Sequence, residues 1–313
     1  MMRLALVVAL CISTVAVAQR PVDKQQERGP DQLWLDAVFV DGKGTVVTDV
    51  RREEVEVWIG HFLVPIEDFI SVTPANDAGR RGRYVVLLLD DITTPLDQVP
   101  RVKEVARHIV SRMEPDDHIA IVTLNGSAME STGDRTPLLR AIENYNVRAT
   151  GVLRPDDLGA HVLRTIGALA EQLGKAGDQR KTILAIGRSD FFDRPIPPPR
   201  YGRDLKPEWM AAMHAMAQAN AALYVIDSSM VGARFLPDTG DAGFAHATGG
   251  QAFIGLNDLD GAADKVLTEA SNYYLIGVKA PPVGKTADLR DIQIKIKRRG
   301  VTVRTREAVS GGR

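Results

Sequence analysis

The chain has 313 residues, and its 39 lysine and arginine residues nearly balance its 40 aspartate and glutamate residues, for a formal net charge of −1. A charge this close to zero, with no large basic patch, argues against a nucleic-acid-binding function. Cys11 is the only cysteine. It falls in a predicted signal peptide, so we expect a mature chain without disulfides, cysteine-ligated metal or a thiol nucleophile.

The first 18 residues predict export. Arg3 precedes an apolar run from Leu4 to Val17, and Ala16-Val17-Ala18 is a small-x-small cleavage signal. The run is shorter than the ~20 residues that a spanning helix needs. We therefore expect a signal peptide over 1–18, cleavage after Ala18, and a secreted or periplasmic protein with no integral membrane span. An uncleaved N-terminal anchor is the alternative. Residues 19–32 are polar and predict a flexible leader.

Residues 33–79 have the pattern of short β-strands. An apolar run from Leu33 to Val40 is followed by the turn residues Asp41-Gly42, and Val55 to Ile59 alternates between apolar and polar side chains. An Asp-Gly pair between such runs is a hairpin signal. These features predict an N-terminal β-segment.

Residues 80–278 alternate between strand and helix patterns. Val85 to Leu89 is apolar on both faces, as in a central parallel strand. A helical period follows Pro100. Further buried strands are predicted at Ile119–Leu124, Thr182–Ile186, Leu223–Ile226 and Tyr273–Val278, with helices between them. The pattern predicts an α/β fold with a doubly wound, mostly parallel sheet.

Residues 279–309 return to the strand pattern. Leu289 to Lys297 and Val301 to Arg306 alternate on either side of an Arg299-Gly300 turn. We expect this C-terminal segment to pair with residues 33–79 in a small β-sandwich, with the α/β unit inserted between them.

Several segments resemble von Willebrand factor type A domains. Tyr84 to Thr94 is similar to the first strand and metal-site loop of that family, and Asp116–Val122 and Leu223–Asp227 are similar to later strands. The segments Ala247–Phe253 and Tyr273–Gly277 resemble the exported acidobacterial-type proteins related to this domain. The resemblance covers most of the mature chain.

The resemblance implies a metal-ion-dependent adhesion site at the carboxyl edge of the sheet, with the oxygen ligands that Mg²⁺ prefers. The matching positions here are Asp90, Thr94, Thr132 and Asp190, but Ile92 stands where the family has a serine and Asp190 is displaced by one or two residues. We therefore expect a degenerate site and no cofactor. A working site that binds Mg²⁺ is the alternative.

The segment after the predicted strand Thr182–Ile186 has the composition of a contact loop. Its prolines restrict the backbone, and its aromatic and arginine side chains are of the types enriched in protein interfaces. The candidate contact residues are Phe191, Phe192, Arg194, Arg200, Tyr201 and Arg203. The alternative is that this loop packs on the helices of its own domain.

Signatures of enzymes are missing from the sequence. It has no Gly-x-Ser-x-Gly elbow, no His-Glu-x-x-His pair and no phosphate-binding glycine-rich loop. We therefore interpret the chain as an exported, non-enzymatic, adhesion-type module that binds a protein or peptide at the carboxyl edge of its sheet. A secreted hydrolase whose site is assembled in space is the alternative from another functional class.

Overall fold

The computed structural model describes residues 32–76, 82–147, 155–176, 179–192, 204–229, 243–279, 290–306 and 308–309. Fourteen strands occur in this part of the chain: β1 (Gln32–Asp41), β2 (Val55–Ile59), β3 (Phe62–Val64), β4 (Ile66–Val72), β5 (Tyr84–Leu89), β6 (His118–Thr123), β7 (Ala128–Thr132), β8 (Lys181–Gly187), β9 (Ala221–Asp227), β10 (Gln251–Phe253), β11 (Tyr273–Lys279), β12 (Arg290–Ile296), β13 (Val301–Arg304) and β14 (Ala308–Val309). Seven α-helices accompany them: α1 (Val99–Ser111), α2 (Arg135–Asn144), α3 (Pro155–Leu173), α4 (Ser189–Phe192), α5 (Lys206–Ala219), α6 (Phe244–Ala247) and α7 (Leu259–Ser271). Within the same residues, no helix combines the length and the apolar character needed to cross a membrane.

A six-stranded sheet with the order β10-β9-β8-β5-β6-β7 forms the centre of the α/β unit. All its neighbouring strands pair in parallel except β6 and β7. Val86 and Leu88 pack with α3 and α5 on one face, and Leu87 and Leu89 pack with α1 and α7 on the other. The prediction of a doubly wound, mostly parallel sheet is confirmed, because strands with two apolar faces must be covered by helices on both sides.

Two four-stranded antiparallel sheets enclose a separate core. Their orders are β13-β1-β11-β4 and β14-β12-β2-β3. Leu35 and Phe39 of the first sheet pack in one cluster with Val57 and Ile294 of the second. Strands from before and after the α/β unit pair directly, β1 with β13 and β2 with β12. The α/β unit is therefore inserted in a small β-sandwich.

The strand β11 differs from the sequence expectation. It was predicted to close the α/β unit within residues 80–278, but it pairs antiparallel with β1 and β4. The parallel sheet ends at β10, and the sandwich begins at Tyr273. An apolar run of this length has the same pattern in a parallel sheet and in the middle of a sandwich sheet, so only the pairing partners distinguish the two.

A buried ion pair joins the sandwich to the α/β unit. Asp36 of β1 pairs with Arg180, which immediately precedes β8 and whose side chain is fully buried. Arg180 also donates hydrogen bonds to the Tyr224 hydroxyl (3.1 Å) and the Gly249 carbonyl (2.9 Å). Burial and the nearby charge of Arg180 lower the pKa of Arg306 to about 10. Charged groups buried in this way must keep their partners for the two units to stay together.

Candidate functional site

The order in which the chain adds strands to the sheet reverses between β5 and β8. β5 has β6 on one side and β8 on the other, so the connections that leave these neighbouring strands run to opposite sides. Open α/β sheets bind ligands at such a switch point, outside the carboxyl ends of the strands. Asp90 follows β5 directly and is fully buried at this position.

Both carboxylate oxygens of Asp90 are engaged by its own loop. Oδ1 accepts hydrogen bonds from the backbone N–H groups of Ile92 (3.1 Å) and Thr93 (2.7 Å), and Oδ2 accepts one from the Thr93 hydroxyl. Burial raises the pKa of Asp90, and these hydrogen bonds act against that increase. The main role of the carboxylate in this structure is to fix the turn after β5.

A second buried carboxylate, Asp227, lies at the end of β9. Gly187 of β8 is directly opposite it in the sheet. Asp227 Oδ2 accepts hydrogen bonds from the backbone N–H (3.1 Å) and the hydroxyl of Ser189, and Oδ1 accepts one from the Ser229 N–H (2.8 Å). The sequence analysis treated Asp227 only as the end of a strand. An aspartate directly after an apolar strand is the signal that could have identified it.

Asp91, Thr94 and Tyr145 complete the buried polar group at this edge. The Tyr145 hydroxyl donates a 2.6 Å hydrogen bond to the Asp90 carbonyl. The pKa of Tyr145 is raised by burial and by the negative charges of Asp90 and Asp91. The Thr94 hydroxyl lies close enough to lower this pKa, yet it makes no hydrogen bond of normal geometry within the described residues. Tyr145 thus connects the end of α2 to the loop after β5.

Thr132 is not part of this group, and the prediction that it lies beside Asp90 is wrong. The chain turns at Asn125-Gly126, where Gly126 has a φ of 86°, and β7 runs back antiparallel to β6. Thr132 pairs with Ile119 near the start of β6, whereas Leu124, just beyond its end, bonds to Leu89. Ile119 and Leu124 are five residues apart along the chain, so Thr132 lies about 16 Å from the end of the sheet where Asp90 is found. The Asn-Gly pair is a hairpin signal that could have revealed this reversal.

The predicted contact loop is described only at its start. Phe192 is fully buried in the core under α3 and α5, so the prediction that it contacts a partner is wrong. An aromatic side chain there gains more from the apolar core than from solvent. Asp190 and Phe191 lie in α4, but their side chains are outside the described part of the structure. Arg194, Arg200, Tyr201 and Arg203 also lie outside the described residues.

The residues present do not fit the Mg²⁺ site that the family resemblance implies. Of the four predicted ligands, Asp90 has both oxygens engaged, and Thr132 is at the other edge of the sheet. Ile92 packs against the apolar core. Among the described residues, no group of three or more His, Cys, Asp or Glu side chains is arranged to hold a metal ion. Of the predicted ligands whose side chains are described, only Thr94 has a buried oxygen without a hydrogen bond.

The two serines described at this edge of the sheet, Ser189 and Ser228, are not paired with a histidine base. The Ser189 hydroxyl donates to Asp227, and the Ser228 hydroxyl donates to the Gln98 side chain (3.2 Å). His161 contacts the Leu124 carbonyl through Nε2 (2.7 Å). A serine needs a base within hydrogen-bond reach to attack a substrate, and neither serine has one in the described part of the chain.

The rim of this edge carries an exposed apolar side chain. Leu96 follows Thr94 and Pro95 in the loop between β5 and α1 and is 74% exposed. A leucine beside buried polar groups gives the rim an apolar contact point of the kind that protein partners cover. The sequence analysis did not single out this residue.

Comparisons with known proteins give similarity to solved structures only. No protein-family model matches the chain, and no curated protein matches it either. Among solved structures, a match is the manganese-loaded TRAP protein of Plasmodium vivax, at 10% sequence identity and a TM-score of 0.35, covering 78% of this chain and 98% of that one.

Proposed function

We propose that this chain is an exported, non-enzymatic binding module of the von Willebrand A type. It recognises a protein or peptide partner at the carboxyl edge of its parallel sheet, around Asp90, Thr94 and Leu96. The observation that carries this proposal is the position of Asp90 at the switch point, in a loop that Thr93 and Tyr145 hold in place. A rigid edge with an exposed apolar residue beside it suits the binding of a preformed surface.

The proposal includes recognition without a bound metal ion. The carboxylates of Asp90 and Asp227 are both hydrogen-bonded to backbone N–H groups and hydroxyls, so each is already stabilised by groups of the chain. The unpartnered Thr94 hydroxyl is the observation that favours the Mg²⁺-dependent alternative. The same proposal includes contacts from the 191–203 loop. Phe192 is left out because it is buried, and the contact residues are Phe191, Arg194, Arg200, Tyr201 and Arg203.

Export and family membership are also proposed. The signal peptide over 1–18 and the leader over 19–32 rest on their sequence pattern. Membership in the exported acidobacterial-type group rests on the segments Ala247–Phe253 and Tyr273–Gly277. Cleavage after Ala18 is tested by N-terminal sequencing of the protein recovered from the periplasm or medium of an expressing cell.

Partner recognition is tested with two matched surface variants. The mature chain is immobilised and used to capture proteins from a native envelope fraction, in wild-type form and as Leu96→Glu or Leu63→Glu. Both leucines are exposed, at 74% and 56%, but Leu63 lies in β3 of the sandwich. We expect a partner that wild type and Leu63→Glu retain and that Leu96→Glu loses. Equal capture by all three proteins would contradict binding at the carboxyl edge.

A further inference from the structure

A cavity opens on the side of the sheet opposite to the Asp90 carboxylate. It has a volume of about 210 Å³ and lies between the ends of β5 and β6, the strand β7 and the end of α2. For comparison, a buried cavity of ~150 Å³ is large enough for a benzene ring. Asp90 and Asp91 are consecutive, so their side chains point to opposite faces at the end of the strand. Asp91 lines this cavity.

Asp91 contributes a carboxylate oxygen without a partner. The side chain is buried, with only 2% of its surface exposed. Its Oδ1 accepts a 3.0 Å hydrogen bond from the Asn125 N–H. Among the described residues, Oδ2 accepts no hydrogen bond and no basic side chain pairs with Asp91, and this oxygen is not one of the unpartnered atoms sealed from solvent. A carboxylate oxygen that faces a pocket without a donor can receive a cation or a hydrogen-bond donor from a ligand.

The walls of the cavity suit a long amphipathic cation. Leu89, Ile121 and Met129 are apolar lining residues, and the polar residues Asn144 and Asn146 line the cavity together with Asp91. Asp91 is the only charged residue among the described lining residues. Lysine and arginine side chains bury their methylene stems along apolar surfaces and keep the charged end on polar groups.

We propose that this cavity binds an alkylammonium or guanidinium group, with the aliphatic stem against Leu89 and Met129 and the cation on Asp91 Oδ2. The source of that group is a lysine or arginine side chain of the partner. This rests on the proposed function, since the cavity adjoins the same edge of the sheet. It adds a specificity that the Asp90 group does not provide, because the carboxylates of Asp90 and Asp227 are already hydrogen-bonded.

The test uses the full mature chain and simple probes. Butylammonium, the peptide acetyl-Gly-Lys-Gly-amide and the same peptide with norleucine are titrated against isotope-labelled protein, and the backbone amide shifts of Met129 and Asn144 are followed by NMR. We expect the lysine peptide to shift these signals and the uncharged norleucine peptide to leave them unchanged. Tighter binding of the lysine peptide than of butylammonium identifies a peptide side chain as the source, and equal binding identifies a free amine.

Three variants assign the binding to the cavity. Asp91→Asn keeps the acceptor for Asn125 and removes the charge, and Ala141→Phe fills the cavity from the partly buried side of α2. Each is expected to weaken lysine-peptide binding by about tenfold or more, as for other buried charge pairs. Asp97→Asn removes a charge from an exposed residue outside the cavity and should change nothing. If Asp91→Asn fails to fold, Ala141→Phe decides the question.

Equal binding of the lysine and norleucine peptides, or wild-type affinity in Ala141→Phe, would overturn the cation site. That outcome is distinct from failure of the proposed function. If Leu96→Glu still loses a captured partner while no lysine probe binds, only the cation site is refuted. If lysine probes bind in the cavity but no captured partner depends on Leu96, the cavity is an amine site and the partner-binding function is refuted.

Discussion

Asp90 and Gly187 are in direct contact across the two central strands of the sheet. A Cβ atom added at residue 187 would lie 2.3 Å from Asp90 Cβ and 3.0 Å from its Oδ2. Glycine at the end of β8 therefore lets the Asp90 side chain lie flat against the neighbouring strand. The same position faces Asp227 on its other side, so Gly187 separates the two buried carboxylates of the edge.

Replacing Gly187 by alanine is expected to destabilise the protein by about 1–3 kcal/mol or more, because the added methyl group overlaps Asp90 and forces its loop to move. Urea unfolding followed by circular dichroism measures the change. Gly42→Ala is the control, since nothing lies within 4 Å of an added Cβ there, and its effect should stay within about 0.5 kcal/mol. Equal stability of both variants would mean that Asp90 is held less closely than the structure shows.

Magnesium is expected to leave the melting temperature unchanged. Of the predicted ligands, Thr132 is at the opposite end of the sheet and the Asp90 oxygens are already hydrogen-bonded. Too few oxygen ligands therefore remain to hold the cation. Differential scanning fluorimetry with Mg²⁺, with Mn²⁺ and with a chelator tests this. A site filled at a hundred times its Kd would stabilise the fold by ~2.7 kcal/mol. A clear rise in melting temperature that Thr94→Val abolishes would establish the metal-dependent alternative.

The Asp36–Arg180 pair is expected to dominate the stability of the joint between the sandwich and the α/β unit. Asp36→Asn leaves the fully buried Arg180 without its counter-charge and should cost about 3–5 kcal/mol. The control is Glu143→Gln, which breaks an ion pair with Arg107 whose side chains are 58% and 42% exposed. That change should have little effect on stability, because solvent screens exposed ion pairs. Comparable losses in chemical denaturation would show that the interface does not depend on the buried charges.

Acid sensitivity is expected to depend on Glu54 at the edge of the sandwich. The Arg298 guanidinium donates to both of its carboxylate oxygens (2.7 and 3.0 Å) and the Arg51 N–H donates as well (2.9 Å). These bonds lower the pKa of Glu54 from 4.5 to about 2. Because the folded pKa lies below the unfolded one, this stabilisation is complete above pH 4.5 and is lost as the pH falls towards 2.

Melting temperatures of wild type and Glu54→Gln between pH 2 and pH 7 measure this contribution. The variant should be less stable near neutral pH and should approach wild type at the acidic end. Glu53→Gln removes a neighbouring exposed carboxylate and serves as the control. A constant difference between Glu54→Gln and wild type across the whole range would show that ionisation of Glu54 is not its cause.

The pattern of the sequence was sufficient for the class of fold because it reflects local geometry. Val85 to Leu89 is apolar at every position, and that fixes a strand covered on both faces. The alternating segments at both ends likewise predicted the sandwich around the inserted unit. The same reasoning placed Asp90 at the end of the first parallel strand, where it is found.

Only the tertiary structure decided which side chains meet. The reversal at Asn125-Gly126 moves Thr132 to the far edge, and the pairing of β11 with β1 and β4 takes Tyr273 into the sandwich. Residues of α2 and β7 line a cavity together with Asp91, and this arrangement is visible only in the tertiary structure. The sequence determined periodicity and strand ends, which depend on neighbouring residues. The binding edge depends on strand order and register, which arise from contacts between residues far apart in the chain.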